Sequence, residues 1–250
     1  MSARRHHAVI VLVSGLLAGC GSTVPAARVG TPAALSKSRA VTFAEAVNLK
    51  SDDLPGFTGV GAGAETPPPG PIDLAEDRCI GLLSSSLQVA KVSSPEFSAG
   101  LGLHAEILKS TVEVWPTARD VVLNSVRSET RHAEACLLAA LRATRTKINR
   151  ERRGRMQIGP FTTATVPYSL PGVGHGSLLK IDETRLHRSG AVFFHVYRDV
   201  FGFATGPSEV ELEAVGFGHP VPTRTERRAL RSLLVRATAG AGSLGSPSSS

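Results

Sequence analysis

A chain of 250 residues has room for one ordinary domain of about 100 to 200 residues together with a leader and a tail. Its 42% apolar residues are normal for a globular core, and a formal net charge of +7, from 28 Lys and Arg against 21 Asp and Glu, excludes an acidic solvating chain. Beyond the N-terminus no apolar run approaches the roughly 18 residues of a membrane-spanning helix.

The chain opens with Arg4 and Arg5, an apolar run from Ala8 to Ala18, and then Leu17-Ala18-Gly19-Cys20. A positive start, an apolar segment too short to span a bilayer and small residues at the cut describe a secretory signal peptide. The Cys directly after the small residues resembles the lipobox of bacterial lipoproteins. That resemblance implies removal of residues 1–19 and acylation of Cys20, by palmitate or a similar chain, on the outer face of the cell membrane; the plainer alternative is a secretory signal with an incidental Cys. Two acyl chains hold stably where one is marginal, at about 0.8 kcal/mol per buried methylene.

Residues 20–41 are rich in Ala, Pro, Ser, Thr and Gly without periodicity and read as a flexible tether. A single domain is expected over 42–238 and a disordered Gly/Ser/Pro tail over 239–250. Phe43, Ala44 and Val47 begin the first element, a short helix or an extended start. Gly59-Val60-Gly61-Ala62-Gly63-Ala64 mimics a dinucleotide fingerprint, but Pro67-Pro68-Pro69 forbids the helix that would hold a pyrophosphate, so it reads as loop. A short helix is expected from about Ile72 to Leu83, carrying Cys79.

Leu101, Leu103, Ala105 and Ile107 alternate with Gly102, His104 and Glu106 as in a half-buried strand, which Val112 and Val114 continue and Pro116 ends. Thr117 caps a helix through Val121 and Val126, and Ser128 restarts or continues it through Ala133, Cys136, Leu137, Ala140 and Leu141. Strand follows strand from Met156 to Gly218. Val210, Leu212 and Ala214 alternate with Glu209, Glu211 and Glu213, which are expected to face water. Pro222 and the capping box Thr223 to Glu226 open a last helix with Ala229, Leu230, Leu233, Leu234 and Ala237 on one face. Successive strands without intervening helices pair antiparallel, so the fold class is α+β, an antiparallel sheet flanked by helices in an α/β/α sandwich.

With Cys20 acylated, Cys79 and Cys136 remain as an even pair in an oxidising compartment and are expected to form a disulfide. A metal site using His132, one turn before Cys136, is the alternative, but no matching Cys or His cluster accompanies it; no metal and no cofactor are expected. Ser177-Leu178-Leu179-Lys180 matches the S-x-x-K of penicillin-recognising enzymes without their companion motifs and in a strand, where Ser and Lys point apart. Gly174-His175-Gly176 reads as a surface turn, and Trp115 as core or as a partner anchor. No catalytic residue set is assigned. On the strand over Val192–Val200, alternation aims Phe193, His195, Tyr197 and Asp199 to one face as the candidate ligand surface. The basic runs Arg142 to Arg155 and Arg224 to Arg236 suit anionic phospholipid better than nucleic acid in an exported protein, the plainer reading being solvated faces.

The phrases NLKSDDLPGF, VSSPEFS, VEVWPTARD, ACLLAAL and the run from Val200 to Ala237 resemble a group of actinobacterial envelope lipoproteins. The resemblance implies the layout of the PsbP and Mog1 fold or, less closely, of the extracytoplasmic sensor domains of Ser/Thr kinases. No catalytic motif comes with it. The function expected is that of a lipid-anchored, non-enzymatic binding or interaction protein for a small molecule, a lipid or an envelope protein, with no nucleic acid. An envelope hydrolase or transferase, or a structural assembly factor, is the alternative.

Overall fold

The computed structural model describes residues 35–65, 71–83, 87–128, 130–151, 156–169 and 176–245. The leader, Cys20 and the tether as far as residue 34, the Pro67–Pro69 run, Gly174 and His175, and residues 246–250 lie outside the described residues. Residues Ala34–Ser250 form one compact unit.

The order of elements is α1 (Lys37–Val47), β1 (Thr58–Val60), β2 (Ala64–Glu65), α2 (Pro71–Ile80), β3 (Ala90–Ser93), β4 (Glu96–Ala99), β5 (Glu106–Val114), α3 (Ala118–Ser128), α4 (Arg131–Glu151), β6 (Gln157–Pro167), β7 (Gly176–Leu186), β8 (Val192–Thr205), β9 (Ser208–Phe217) and α5 (Thr223–Gly245). The strands form one nine-stranded sheet in the order β1-β4-β5-β9-β8-β7-β6, with β3 also on β5 and β2 on β3. Every pairing is antiparallel, as uninterrupted strand succession requires. The fold is a single α+β domain.

Alternation divides the sheet into two faces. Leu108, Val112 and Val114 of β5, Val210, Leu212 and Ala214 of β9, and Phe201 and Phe203 of β8 pack with Ala40, Phe43, Ala44 and Val47 of α1 and Ala229, Leu230, Leu233 and Ala237 of α5 in the main core. Val196, Val215 and Ile181 are buried on the other face, where α3 packs on β8 and β9 and α4 on β6. Trp115 is core, 1% exposed.

Four expectations are corrected. The helix α1 starts inside the expected tether of 20–41: the Ser36 hydroxyl accepts from Arg39 N–H at 3.4 Å, and Ala40 is fully buried. At the other end α5 runs to Gly245, into the tail expected over 239–250. A Cβ at Gly240 would press on the Phe43 ring at 2.8 Å, so the small residues serve close packing of α1 on α5 and not disorder. The alternating run from Leu101 becomes strand only at Glu106: Gly100 and Gly102 adopt φ of 69° and 60°, a 3₁₀ turn follows over Gly102–His104, and Leu101 is left 88% exposed. The glycine-rich mimic is partly strand, since Gly59 pairs with Phe97 across β1 and β4.

Cys79 of α2 and Cys136 of α4 are joined by a disulfide with Cα atoms 5.8 Å apart. His132 Nε2 lies 2.8 Å from the Cys79 carbonyl oxygen. As a disulfide the two sulfurs are spent as thiolate ligands, so the metal alternative lacks a donor set there.

A buried polar network ties the first turn after α1 to the sheet. Asn48 donates to Val92 O at 3.0 Å and accepts from the Ser110 hydroxyl at 2.8 Å; that hydroxyl accepts from Leu49 N–H at 2.9 Å. Arg236 of α5 donates to Val47 O and Asn48 O, each at 3.0 Å, and to both Asp53 oxygens at 2.9 and 2.7 Å. The resemblance-bearing phrase NLKSDDLP is thus a connection in which the Asn48 carbonyl and the Asp53 carboxylate are given partners by Arg236, as buried polar groups require.

Candidate functional site

The strands β7 and β8 form a long hairpin whose register sets Lys180 opposite Asp199, Asp182 opposite Tyr197 and Thr184 opposite His195. Directly opposed residues share a face, so His195, Tyr197 and Asp199 lie with Lys180, Asp182 and Thr184 on the same side as the main core, whereas the register shift between Arg185 and Leu186 leaves Phe193 at a bulge with no opposed residue. The coverage of that side changes along the strand. Asp199 sits beneath the start of α5, and Phe193, toward the hairpin end, is 48% exposed.

The outer part is a strip of rings and hydrogen-bonding groups. His195 Nδ1 lies 2.7 Å from Asp182 Oδ1, which fixes the ring and leaves Nε2 on the far side. The imidazole stacks on Tyr197 with centroids 5.8 Å apart and planes 17° from parallel. Phe193 packs on His187 at 4.4 Å and on Phe194 at 5.2 Å between centroids. Aromatic pairs at such distances are held by dispersion and quadrupole attraction. The strip keeps a polar wall because the residue opposite Tyr197 on β9 is Gly216. A Cβ there would collide with the backbone of His219, and the returning chain donates from Gly218 N–H to His195 O at 2.8 Å.

The inner part is closed. Lys180 Nζ lies 2.6 Å from Asp199 Oδ2. Asp199 is 9% exposed and Glu226 of α5 is 5% exposed. Burial raises the Glu226 carboxyl from 4.5 to about 7; the Asp199 charge raises it too, Lys180 lowers it, and a hydrogen bond with Asp199 raises it again. Taking a carboxyl group out of water beside another acid disfavours its charged form. Glu226 therefore turns inward instead of back on the cap, which corrects the capping-box expectation. Asp199, expected at the ligand surface, is committed to this buried network and positions β8 under α5; the half-open group beside it is Lys180.

Across the sheet, Glu113, Glu209, Glu211 and Glu213 line neighbouring positions of β5 and β9. They lie on the side of the sheet where α3 packs on β8 and β9; of the β9 glutamates expected to face water, Glu211 is exposed and Glu209 and Glu213 are half-buried. Burial first, and the charges of Glu113 and Glu211 after it, push Glu209 up to about 8. Lys91 meets Glu113 at 2.6 Å and Arg198 meets Glu213 at 3.2 Å.

The S-x-x-K match resolves as alternation predicts: Lys180 joins Asp199 on the core side, and Ser177, an odd number of positions away on β7, takes the other side. Thr184, whose hydroxyl lies opposite His195, donates it to Pro160 O at 2.7 Å. Among the described residues the His195–Asp182 pair is therefore an acid–base pair without a nucleophile bonded to it. No helix among the described residues is long and apolar enough to cross a membrane.

No family model and no curated protein matches the chain. Among solved structures, the extracellular domain of PknH from Mycobacterium tuberculosis is similar at 11% identity with a TM-score of 0.42, over 85% of this chain and 100% of that one.

Proposed function

We propose that this chain is a lipid-anchored, extracytoplasmic binding protein that is not an enzyme and that presents the outer β7–β8 face to a ligand. The observation that supports the reading most directly is the half-open strip of Phe193, His195 and Tyr197, backed by Asp182. An exposed ring supplies apolar contact, and the imidazole Nε2 and phenol supply directional hydrogen bonds, a combination typical of small-molecule sites. The ligand is a small molecule, a lipid or a segment of an envelope protein that lays a flat apolar face on Phe193 and shares hydrogen bonds with His195 and Tyr197. The leader ending at Cys20 supports delivery to the outer face of the membrane, where acyl chains hold it.

The test is mass spectrometry of protein extracted natively from its own membrane. A diacylglyceryl mass at Cys20 and a retained ligand that is lost from His195→Ala and Tyr197→Ala, with unchanged melting, are the expected results. A bare thiol at Cys20 in uncut protein refutes the anchor, and unchanged ligand retention by both variants refutes the site. The His195–Asp182 pair favours envelope hydrolysis as the second reading, and labelling of purified protein by an activity-based hydrolase probe decides for it.

A further inference from the structure

The helix α5 is two-faced in an unusual way. Its inward side carries Glu226, Ala229, Leu230, Leu233 and Ala237, all buried. Its outward side carries Arg224, Arg227, Arg228 and Arg231, all exposed, within a stripe that 3.6 residues per turn makes about 100° wide. Val235, 62% exposed, continues the stripe toward the C-terminus. None of the four arginines is ion-paired or hydrogen-bonded to a described residue, and the one acid of the helix, Glu226, is turned into the protein. Three of the four occupy the first two turns, at the positive pole of the helix dipole, where cations are disfavoured. The fold draws nothing from them.

We propose that this arginine face of α5 docks on anionic phospholipid headgroups. Charge complementarity chooses the partner: four unpaired guanidinium groups on one ridge suit a dense sheet of phosphates, each of which an arginine fork meets with two parallel hydrogen bonds. Chain length permits the contact. The helix α1 packs along α5, with Phe43 against Gly240 and Val47 O on Arg236, so the two run antiparallel and the chain enters α1 toward the C-terminal end of α5. Arg231 stands about 20 Å from that end at 1.5 Å per residue. Lys37 follows Cys20 by seventeen residues, a reach of up to about 60 Å. The inference takes the presence of a bilayer from the anchored reading above; the contact itself is tested without the anchor.

The unit 34–250, which contains its own core and no acylation site, is mixed with vesicles of phosphatidylglycerol and phosphatidylcholine in equal parts, or of phosphatidylcholine alone, and sedimented. Each arginine at an anionic surface contributes about fivefold in affinity before screening, so binding to the anionic vesicles is expected to exceed that to the neutral ones at least about tenfold, and to fall as salt shortens the Debye length. Replacing Arg224, Arg227, Arg228 and Arg231 together by Gln is expected to abolish the difference with melting unchanged. Replacing Arg142, Lys147 and Arg150 of α4 by Gln is expected to leave it intact. Equal binding to both vesicle types, or loss in the α4 variant with retention in the α5 variant, overturns the proposal. Because the unit carries no Cys20, failure of acylation leaves this result standing, and failure here leaves the anchor standing.

Discussion

Arg236→Ala is the most informative single perturbation of the fold. The guanidinium makes four hydrogen bonds, two to the Asp53 carboxylate and two to the carbonyls of Val47 and Asn48. Its removal leaves two carbonyls short of a donor and leaves Asp53, 8% exposed, with the Lys50 N–H at 2.8 Å and the Ser232 side chain as partners. Breaking a buried ion pair from one side costs about 3 to 5 kcal/mol. Because the arginine keeps a quarter of its side-chain surface in water, the lower end applies, about 3 kcal/mol. In a domain of this size that is a fall in Tm of roughly 6 to 12 °C. The pH dependence identifies the cause. Burial alone would raise the Asp53 carboxyl, but the Arg236 hydrogen bonds and charge and the Lys50 N–H outweigh it and hold the group below its ordinary value. A carboxyl lowered on folding stabilises above its unfolded pKa, and that stability is lost as pH falls through the lowered folded value. The gap in Tm between wild type and Arg236→Ala, read by circular dichroism, is therefore wide at pH 7 and narrows as the pH is taken down through the carboxylate range. Arg236→Lys keeps the charge without the fork and is expected to fall between the two. A melting point for Arg236→Ala within about 2 °C of wild type at pH 7, or a gap that does not change with pH, would refute the reasoning.

Reducing the Cys79–Cys136 bond, or replacing both by Ser, releases a loop of 57 residues and is expected to cost about 4 kcal/mol in the chain-entropy model, read as a shift of the urea midpoint. Glu226, raised from 4.5 to about 7 on folding, acts in the opposite sense to Asp53. Its contribution is full below pH 4.5 and is lost as pH rises toward 7, so Glu226→Gln is expected to raise the unfolding free energy at pH 8 by up to about 3 kcal/mol at 1.36 kcal/mol per pH unit, and to change it little at pH 4; equal effects at both would count against a protonated carboxyl. Glu209→Gln is expected to show the same sign, with its transition near pH 8. Gly216→Ala drives a methyl into the His219 backbone and is expected to lose about 1 to 3 kcal/mol, as overpacking does, together with ligand retention, because the displaced turn donates to His195 O; wild-type melting and retention would argue that the turn is not a wall of the site.

Much of the layering was legible in short-range pattern. Val210, Leu212 and Ala214 at every second position name a strand and its buried side, and Ala229, Leu230, Leu233 and Ala237 name a helix and its face, because strands repeat every two residues and helices every 3.6. The common side of His195 and Tyr197 follows from the same rule, while the bulge at Phe193 breaks it. What pattern could not show is what lies above each side chain. Glu209 was expected in water and is half-buried; Asp199 was expected at a surface and is buried under α5 beside Glu226. Helix ends also escaped, since Lys37–Ala40 and Gly240–Leu244 are weak in periodicity and are held by packing on each other.

The sequence by itself determined the alternation of the strands and the stripe of the last helix, properties set within a few consecutive residues. The tertiary structure alone decided which carboxyl groups are deprived of water, that Arg236 finds Asp53 and Asn48 from 183 and 188 positions away, and that only the outer half of the β7–β8 face is open. Solvation and hydrogen-bond satisfaction depend on neighbours in space, and those neighbours exist only once the chain has closed on itself.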